Sequence, residues 1–243
     1  VDKHASRVKG ALLHYGGSRD AIKQCYADGA CEFKKACDDL NIGLFDSTPG
    51  RSTSHAAIER ANRTALEAIR VALHESGLGN EWCDYAAKTG LWIRRLRGDV
   101  ESIYAKKVGD EKPKPRLWPF GAAVTFKVNP KVESQTKVEP RARAGIFIGY
   151  HSNPGGTWSG DYLAAEVQSF EAGSSKKIKI YRTKTIALDD TKDFKFPIRE
   201  AKERLAARAL EDGVQERQEL DVKSKPREIA YDVNNIEVMS VSD

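Results

Sequence analysis

Hydrophobic positions in the first fifty residues alternate between helical and strand spacing. Apolar side chains recur on one helical face over residues 4–15 and again over 30–40, and Gly16–Gly17 ends the first of these helices. Residues 22–27 and 42–46 alternate in the manner of short strands. Because a strand–helix–strand order joins two parallel strands, the pattern predicts an α/β layer.

A longer helix is predicted over residues 55–76, opened by Thr53 or Ser54 as its N-cap and stopped by Gly77. A further helix follows over about 80–96. The apolar residues of the longer helix form a stripe that we expect to be buried. Its members are Ile58, Ala61, Ala65, Ala68, Ile69, Ala72 and Leu73.

The second half of the chain has strand spacing. Short alternating segments separated by turn residues over 120–190 are typical of a small barrel or sandwich. Residues 198–220 predict an exposed helix of mixed charge, and 221–243 are predicted to be disordered or to connect to something further.

These patterns divide the 243 residues into four parts. They are an α/β layer over 1–105, a basic linker over 106–118, a small β domain over 119–190, and a mixed-charge helix with a disordered tail over 191–243. The predicted fold class is therefore α/β followed by a small all-β, barrel-like domain.

Composition excludes several classes of protein. Hydrophobic residues make up 40% of the chain, and no apolar run approaches the roughly 20 residues of a membrane span. Four cysteines in 243 residues are not a disulfide framework, which predicts a reducing, intracellular compartment. The start of the chain has neither a signal segment nor an initiator Met, so we expect it to belong to a longer polypeptide.

The net charge of +5 is unevenly spread. Residues 106–150 hold ten Lys and Arg against four Asp and Glu. A basic surface of this kind suits a polyanion such as nucleic acid, because each neutralised phosphate releases counterions. The alternative is a solvated linker followed by ordinary strand surfaces, and charge alone leaves both open.

Two carboxylates have positions that suit metal-dependent chemistry. Asp28 ends the first predicted strand, and Glu59 lies about one turn into the long helix. Sites collect at the carboxyl edge of α/β sheets, and paired carboxylates there hold Mg²⁺ or Mn²⁺, the ions of phosphoryl-transfer chemistry. The alternative is two ordinary exposed acids.

Other catalytic and metal motifs are missing from the sequence. Cys25, Cys31 and Cys37 do not have the spacing of a structural zinc site, and we expect Cys25 and Cys37 to be small core residues. There is no Gly-x-Ser-x-Gly elbow and no Gly-x4-Gly-Lys-Ser/Thr phosphate loop.

Three segments of the sequence carry a family resemblance: residues 26–33 (Tyr-Ala-Asp-Gly-Ala-Cys-Glu-Phe), 47–51 (Ser-Thr-Pro-Gly-Arg) and 58–67 (Ile-Glu-Arg-Ala-Asn-Arg-Thr-Ala-Leu-Glu). Together they resemble the integrase core of copia-type retrotransposons. Colinear matches extend the resemblance over roughly residues 3–190. The downstream matches are Gly77-Leu78 with Trp82, Pro119-Phe120-Gly121, and residues 144–150 (Ala-Gly-Ile-Phe-Ile-Gly-Tyr).

The resemblance implies a ribonuclease H-like domain that processes and joins DNA ends with Mg²⁺ or Mn²⁺. Asp28 would be the second and Glu59 the third member of the family's Asp, Asp, Glu triad. Arg60 and Arg63 would lie near phosphates on the same helix, although Arg63 is also placed for a helical salt bridge with Glu59.

The sequence departs from the family pattern in several places. The first Asp and three central strands would precede Val1, so we expect an incomplete ribonuclease H-like layer that is inactive by itself. Gly29 stands where the family has Asn, and residues 52–56 (Ser-Thr-Ser-His-Ala) replace its Pro-Gln-x-Asn-Gly loop.

The β region would be the family's DNA-contacting module, with Trp118, Phe126, Trp158 and Tyr181 as its candidate aromatics and Phe126 expected in the core. The resemblance also implies nuclear action, a homo-oligomer, and a partner in the reverse transcriptase portion of the same polyprotein. The alternative function is a nonenzymatic remnant that binds nucleic acid through this module. The candidate nucleic-acid-binding residues are Arg51, Arg60, Arg63, Lys127, Lys131, Arg141 and Arg143.

Overall fold

The structure, a computed structural model, describes residues 4–27, 30–46, 52–97, 103–109, 113–129, 140–170, 178–188, 193–211 and 229–231. Its helices are α1 (Ala5–Gly16), α2 (Cys31–Leu40), α3 (Ser52–Ser76), α4 (Cys83–Leu96), α5 (Ile103–Val108) and α6 (Pro197–Glu211). Its strands are β1 (Gln24–Ala27), β2 (Gly43–Asp46), β3 (Ala123–Lys127), β4 (Ala142–Ser152), β5 (Trp158–Glu166), β6 (Ile178–Thr183), β7 (Ile186–Ala187) and β8 (Ile229–Tyr231). The predicted α/β class is confirmed.

The first sheet is the predicted parallel pair. Strands β1 and β2 run side by side in the same direction, joined by α2. Helix α2 stops where Asn41 adopts a left-handed conformation with φ of 56°, a backbone geometry that Asn tolerates better than most residues. Cys37, Leu40 and Ile42 form a small buried cluster that also includes apolar residues of α1 and both strands.

The other face of this two-stranded sheet is exposed. Tyr26 and Phe45 project there with 67% and 43% of their surface accessible, and their rings stack with centroids 5.2 Å apart. No described residue covers this pair, so the stacked rings stabilise each other but gain little from burial.

The second sheet has the strand order β7-β3-β4-β5-β6-β8. Its pairs are antiparallel except the last, in which β8 lies parallel to β6. Strand β8 corrects the prediction of a disordered tail over 221–243, because Ile229–Tyr231 pair with the edge of β6; the rest of that segment lies outside the described residues.

This sheet is strongly curled. Strands β6 and β7 lie on opposite sides in the ladder order, yet only Lys184 and Thr185 separate them in the chain. The end of β6 therefore meets the end of β3: the Thr183 hydroxyl donates to the Lys127 carbonyl at 2.8 Å, and the Lys127 N–H donates to the Thr185 carbonyl at 3.1 Å. The described strands form a barrel-like curl without a closed ladder of hydrogen bonds.

Both faces of the curled sheet are buried. The inner face packs Val124, Phe126, Phe147 and Tyr181 into one hydrophobic cluster. The outer face packs residues of β4, β5 and β6 against α3, α4 and α6. The residues of this outer cluster include Leu73, Trp82, Tyr85, Phe120, Ile146, Ile148, Ile178, Ile180 and Ile198. Ile178 and Ile180 share the outer face and Tyr181 the inner one, as the alternation predicts.

The segment predicted to be a linker is packed against the barrel. The described residues 113–118 are held by tyrosine hydroxyls: Tyr104 donates to the Pro113 carbonyl at 3.1 Å, and Tyr150 donates to the Arg116 carbonyl at 3.1 Å. The Tyr150 hydroxyl also accepts the Trp118 N–H at 2.9 Å. Burial raises the pKa of the Tyr150 phenol, so it remains a neutral donor. The hydrophobic cluster that contains Trp92, Tyr104, Trp118 and Val124 thus spans the predicted limits of the linker over 106–118.

Helix α3 corrects part of the predicted buried stripe. Ala65, Ile69 and Leu73 are half-buried, because the second half of the helix packs on α4 and α6. Ile58 is 42% exposed and Ala61 is exposed, since no described residue covers the first half of the helix. The apolar stripe is therefore present along α3, but only the residues in the second half of the helix are partly buried.

The tyrosine anchor predicts a measurable loss of stability in Tyr150→Phe. Removing the hydroxyl leaves the buried Trp118 N–H without its acceptor, which costs about 1–3 kcal/mol in the free energy of unfolding. Urea denaturation monitored by tryptophan fluorescence measures the change. Tyr26→Phe removes the same atom at an exposed site and serves as the control, with an expected change below about 0.5 kcal/mol. Equal stabilities in both variants would show that residues 113–118 are not anchored in this way.

Candidate functional site

The carboxyl ends of β1 and β2 lie at one edge of the parallel pair. Ala27 ends β1 and is the register partner of Asp46, which ends β2. The chain therefore leaves both strands at the same edge, towards position 28 after the first strand and towards α3 after the second. Asp28 itself lies outside the described residues, as do Arg51 and Lys131, so their predicted roles stay predictions.

Glu59 lies on α3, two turns from the start of the helix rather than the predicted one. The helix begins at Ser52, three residues earlier than the capping pattern indicates. At a rise of about 1.5 Å per residue, Glu59 stands about 10 Å along the helix axis from that start. Its side chain is exposed, and among the side chains that the structure describes it makes no ion pair with Arg63.

Arg60 and Arg63 share the solvent-facing side of α3 with Glu59, at spacings of three and four residues. Both arginines are exposed, and the Arg60 Nε donates to the Ala56 carbonyl at 3.2 Å. Arg70 lies on the same side of the helix, two turns after Arg63, and is also exposed. The exposed helix face thus combines two carboxylates, those of Glu59 and Glu67, with three guanidinium groups. Arg70 is a candidate that the sequence motifs do not indicate.

A second group of cations lies at one rim of the barrel. Lys127 ends β3, Arg141 immediately precedes β4, and Lys184 lies in the connection from β6 to β7. Lys127 is bonded to Thr183 and Thr185, and it is the register partner of Ala142, the residue after Arg141, so the three segments lie side by side. All three cations are exposed. The sequence pattern does not indicate a turn at Lys184, because the alternate positions Ile178, Ile180, Arg182, Lys184 and Ile186 are typical of one continuous strand.

Arg143 differs from the other predicted cations. It is half-buried and forms an ion pair with Glu166 across β4 and β5, while its guanidinium lies 5.9 Å from the centre of the Tyr181 ring. Its charge is therefore already matched within the protein. These contacts favour a structural role for Arg143, which connects the start of β4 to Glu166 on β5 and Tyr181 on β6.

The candidate aromatics of the β region are mostly internal, which corrects the expectation that they contact nucleic acid. Phe126 is buried, as predicted for a core residue, but Trp118 and Tyr181 are buried as well. The Trp118 ring stacks on Tyr162 with centroids 5.0 Å apart and planes 4° apart. Trp158 is half-buried, and its Nε1–H donates to the Asp161 carbonyl at 2.9 Å. Bases have no access to the buried rings.

The cysteines behave as their spacing predicts. Cys37 is fully buried in the α1–α2 cluster and Cys25 is partly buried beside it, whereas Cys31 is exposed. Burial, with a smaller contribution from Cys25, raises the pKa of the Cys37 thiol, so this thiol is not disposed to ionise. Within the described ranges, no three His, Cys, Asp or Glu side chains group together as metal ligands.

None of the helices in the described ranges has both the length and the apolar composition that a bilayer crossing requires.

Comparisons with known proteins find a similarity among solved structures alone. No protein-family model matches it, and no curated protein matches it. Among solved structures it is similar to a cryo-EM structure of the simian T-cell lymphotropic virus intasome in complex with the PP2A regulatory subunit B56 gamma. That similarity has 15% sequence identity and a TM-score of 0.36, and it covers 78% of this chain and 66% of the other. At this level of similarity, function is argued from the chain's own residues.

Proposed function

We propose that this chain is a DNA-binding segment of an integrase-type polynucleotidyl transferase of the copia class. The observation that carries the proposal is the register of β1 and β2, whose last residues pair as Ala27 and Asp46. Position 28 and the start of α3 therefore follow strands that end at one edge. The family resemblance requires Asp28 and Glu59 to meet near this edge, and the common edge of the two strands supports that expectation.

The two carboxylates that the resemblance assigns to the site would suit a hard divalent cation. Asp28 and Glu59 both offer carboxylate oxygens, the ligands that Mg²⁺ and Mn²⁺ prefer, and the Glu59 carboxylate is exposed. The ion would polarise the phosphoryl group and lower the pKa of an attacking water or hydroxyl. The role of the chain's own carboxylates is to fix the position of that charge against the DNA phosphate.

The exposed face of α3 supplies the contact with DNA. Arg60 and Arg63 lie beside Glu59 on this face, and guanidinium groups bind phosphate oxygens through two parallel hydrogen bonds. A helix face that carries both the metal ligand and the phosphate contacts would hold the DNA backbone beside the reacting group.

The proposal assigns binding, and not turnover, to this segment by itself. The resemblance places two of the family's three carboxylates in the sequence, and two carboxylates hold a divalent ion weakly. Nuclear action, a homo-oligomer and the reverse transcriptase portion of the same polyprotein as a partner stay predictions of the resemblance.

Arg60→Gln combined with Arg63→Gln is expected to weaken binding of a short labelled DNA duplex. Each lost phosphate contact lowers the steepness of the plot of log affinity against log salt by about one, so the double variant should lose about two. Fluorescence anisotropy over a range of salt concentrations measures both quantities.

The matched control for this test is Lys34→Gln combined with Lys35→Gln, which removes the same charge from exposed positions on α2. An equal loss of affinity in both double variants would show that only net charge matters and would contradict a specific role for α3. Strand transfer by the wild-type chain alone in Mn²⁺ would contradict the assignment of binding without turnover.

A second candidate function is nonenzymatic nucleic-acid binding through the rim of the barrel. The observation that favours it is the grouping of Lys127, Arg141 and Lys184 by the β3–β4 pairing and by the connection between β6 and β7. Three exposed cations on neighbouring segments neutralise several phosphates without any contribution from Asp28 or Glu59.

The triple variant Lys127→Gln, Arg141→Gln and Lys184→Gln distinguishes the two functions. The rim proposal expects this variant to lose affinity for single- and double-stranded DNA by about a factor of ten or more, since three phosphate contacts disappear together. The first proposal expects a smaller loss than that of the α3 double variant. Anisotropy with the same duplex compares them directly.

The control for the rim is an equal loss of charge on α6, in Lys202→Gln, Arg204→Gln and Arg208→Gln. Unchanged affinity in the control together with a large loss in the rim variant would favour nonenzymatic binding. Equal effects in both triple variants would contradict a rim-specific site.

A further inference from the structure

Two cysteine side chains from different elements meet in the small buried cluster that joins α1, α2 and the parallel strand pair. Cys37 on α2 belongs to the core of this cluster, and Cys25 on β1 packs against it. A side-chain hydrogen bond joins the two thiols, so their sulfur atoms are in direct contact. The pair takes no part in the proposed DNA contact, and both cysteines are free thiols in this structure.

The sequence places the two thiols on facing surfaces. Exposure alternates along β1, where Tyr26 points to solvent and Cys25 points to the helices. Helix α2 buries Ala36, Cys37 and Leu40, a spacing that forms one helical face. Because α2 is the connection between β1 and β2, this face is the one that packs on the strand pair.

The contact has the composition of a dithiol pair and not of a metal centre. Within the described ranges, no third His, Cys, Asp or Glu joins a group that could hold a metal ion. The other two cysteines are exposed: Cys31 begins α2, and Cys83 begins α4. The chemistry open to Cys25 and Cys37 is therefore oxidation to a disulfide, for which the sulfurs must close to a bond length of about 2.05 Å.

We propose that Cys25 and Cys37 form a reversible disulfide when the chain meets a small disulfide oxidant such as oxidised glutathione. The Cys25 thiolate attacks one sulfur of the oxidant, which releases the first thiolate and leaves a mixed disulfide on Cys25. The Cys37 sulfur then loses its proton and attacks the Cys25 sulfur, which releases the second thiolate. The two protein protons pass to the two released thiolates, so the dithiol is oxidised and the oxidant is reduced to two thiols.

Burial sets the order of these steps. Cys25 is partly accessible and Cys37 is fully buried, so the oxidant reaches Cys25 first. Burial, followed by the charge and hydrogen bond of Cys25, raises the pKa of the Cys37 thiol. The charge of Cys25 disappears once its sulfur is in a mixed disulfide, which makes ionisation of Cys37 easier at the second step.

The disulfide would fasten β1 to α2. It closes a loop from residue 25 to residue 37, and a loop of this length stabilises the folded chain by up to about a hundredfold in the folding equilibrium. By reciprocity, the folded chain favours formation of the disulfide over the unfolded chain by the same factor. A geometry that strained the disulfide would reduce or reverse this preference.

The test uses the full chain with Cys31→Ser and Cys83→Ser, two changes at exposed positions that leave Cys25 and Cys37 as its thiols. The chain is equilibrated with mixtures of oxidised and reduced glutathione, natively and in concentrated urea, then alkylated and weighed by mass spectrometry. Loss of two hydrogens reports the internal disulfide, and added glutathione reports mixed disulfides. The native chain is expected to form the internal disulfide at a lower ratio of oxidised to reduced glutathione than the unfolded chain, by up to about a hundredfold.

Variants of the same chain test the order of steps. Cys37→Ala leaves Cys25, which should take up glutathione in the native chain, whereas Cys25→Ala leaves the buried Cys37, which should resist it. Oxidation of the pair should also slow hydrogen exchange in β1 and α2 and leave β3 to β5 unchanged.

Three results would overturn the proposal. They are mixed or intermolecular disulfides in place of the internal one, an internal disulfide that forms no more readily in the native chain than in urea, and faster uptake of glutathione by Cys37 than by Cys25.

Discussion

The connection between β6 and β7 constrains the architecture more than any other feature, because two residues must join strands at opposite sides of one sheet. The sheet satisfies this constraint by curling until Thr183 bonds to the end of β3. Curling gives the sheet an inner face that Phe126, Phe147 and Tyr181 fill, and an outer face on which helices pack. The barrel thereby buries apolar surface on both sides, which is the main stabilising contribution in a domain of this size.

The same packing explains why the candidate site is exposed. The second half of α3 is held against α4 and α6, and the first half extends past the barrel with Glu59, Arg60 and Arg63 on its surface. The parallel strand pair presents the stacked Tyr26 and Phe45 rings in a comparable way. The barrel therefore supplies the buried core, and the first half of α3 supplies an exposed charged surface.

Local patterns predict the order of elements in this chain well and their environment less well. Alternation predicts β1, β2 and the two faces of β6, because strand periodicity records which side chains share a face. It does not predict that Ile58 is exposed, since burial depends on what packs against the stripe. The local sequence does not predict β8, because this strand forms by pairing with the edge of β6. It does not predict the burial of Trp118 and Tyr181 either, because that burial depends on the curl of the sheet.

Whether positions 28 and 59 share one metal site is tested most directly by paramagnetic broadening of amide NMR signals with Mn²⁺. The account predicts that the amides of Ala27 and Arg60 broaden together at low Mn²⁺ and that Asp28→Asn abolishes both effects, because one ion lies close to both positions. Broadening at Arg60 that survives Asp28→Asn, or broadening confined to one of the two positions, would contradict it.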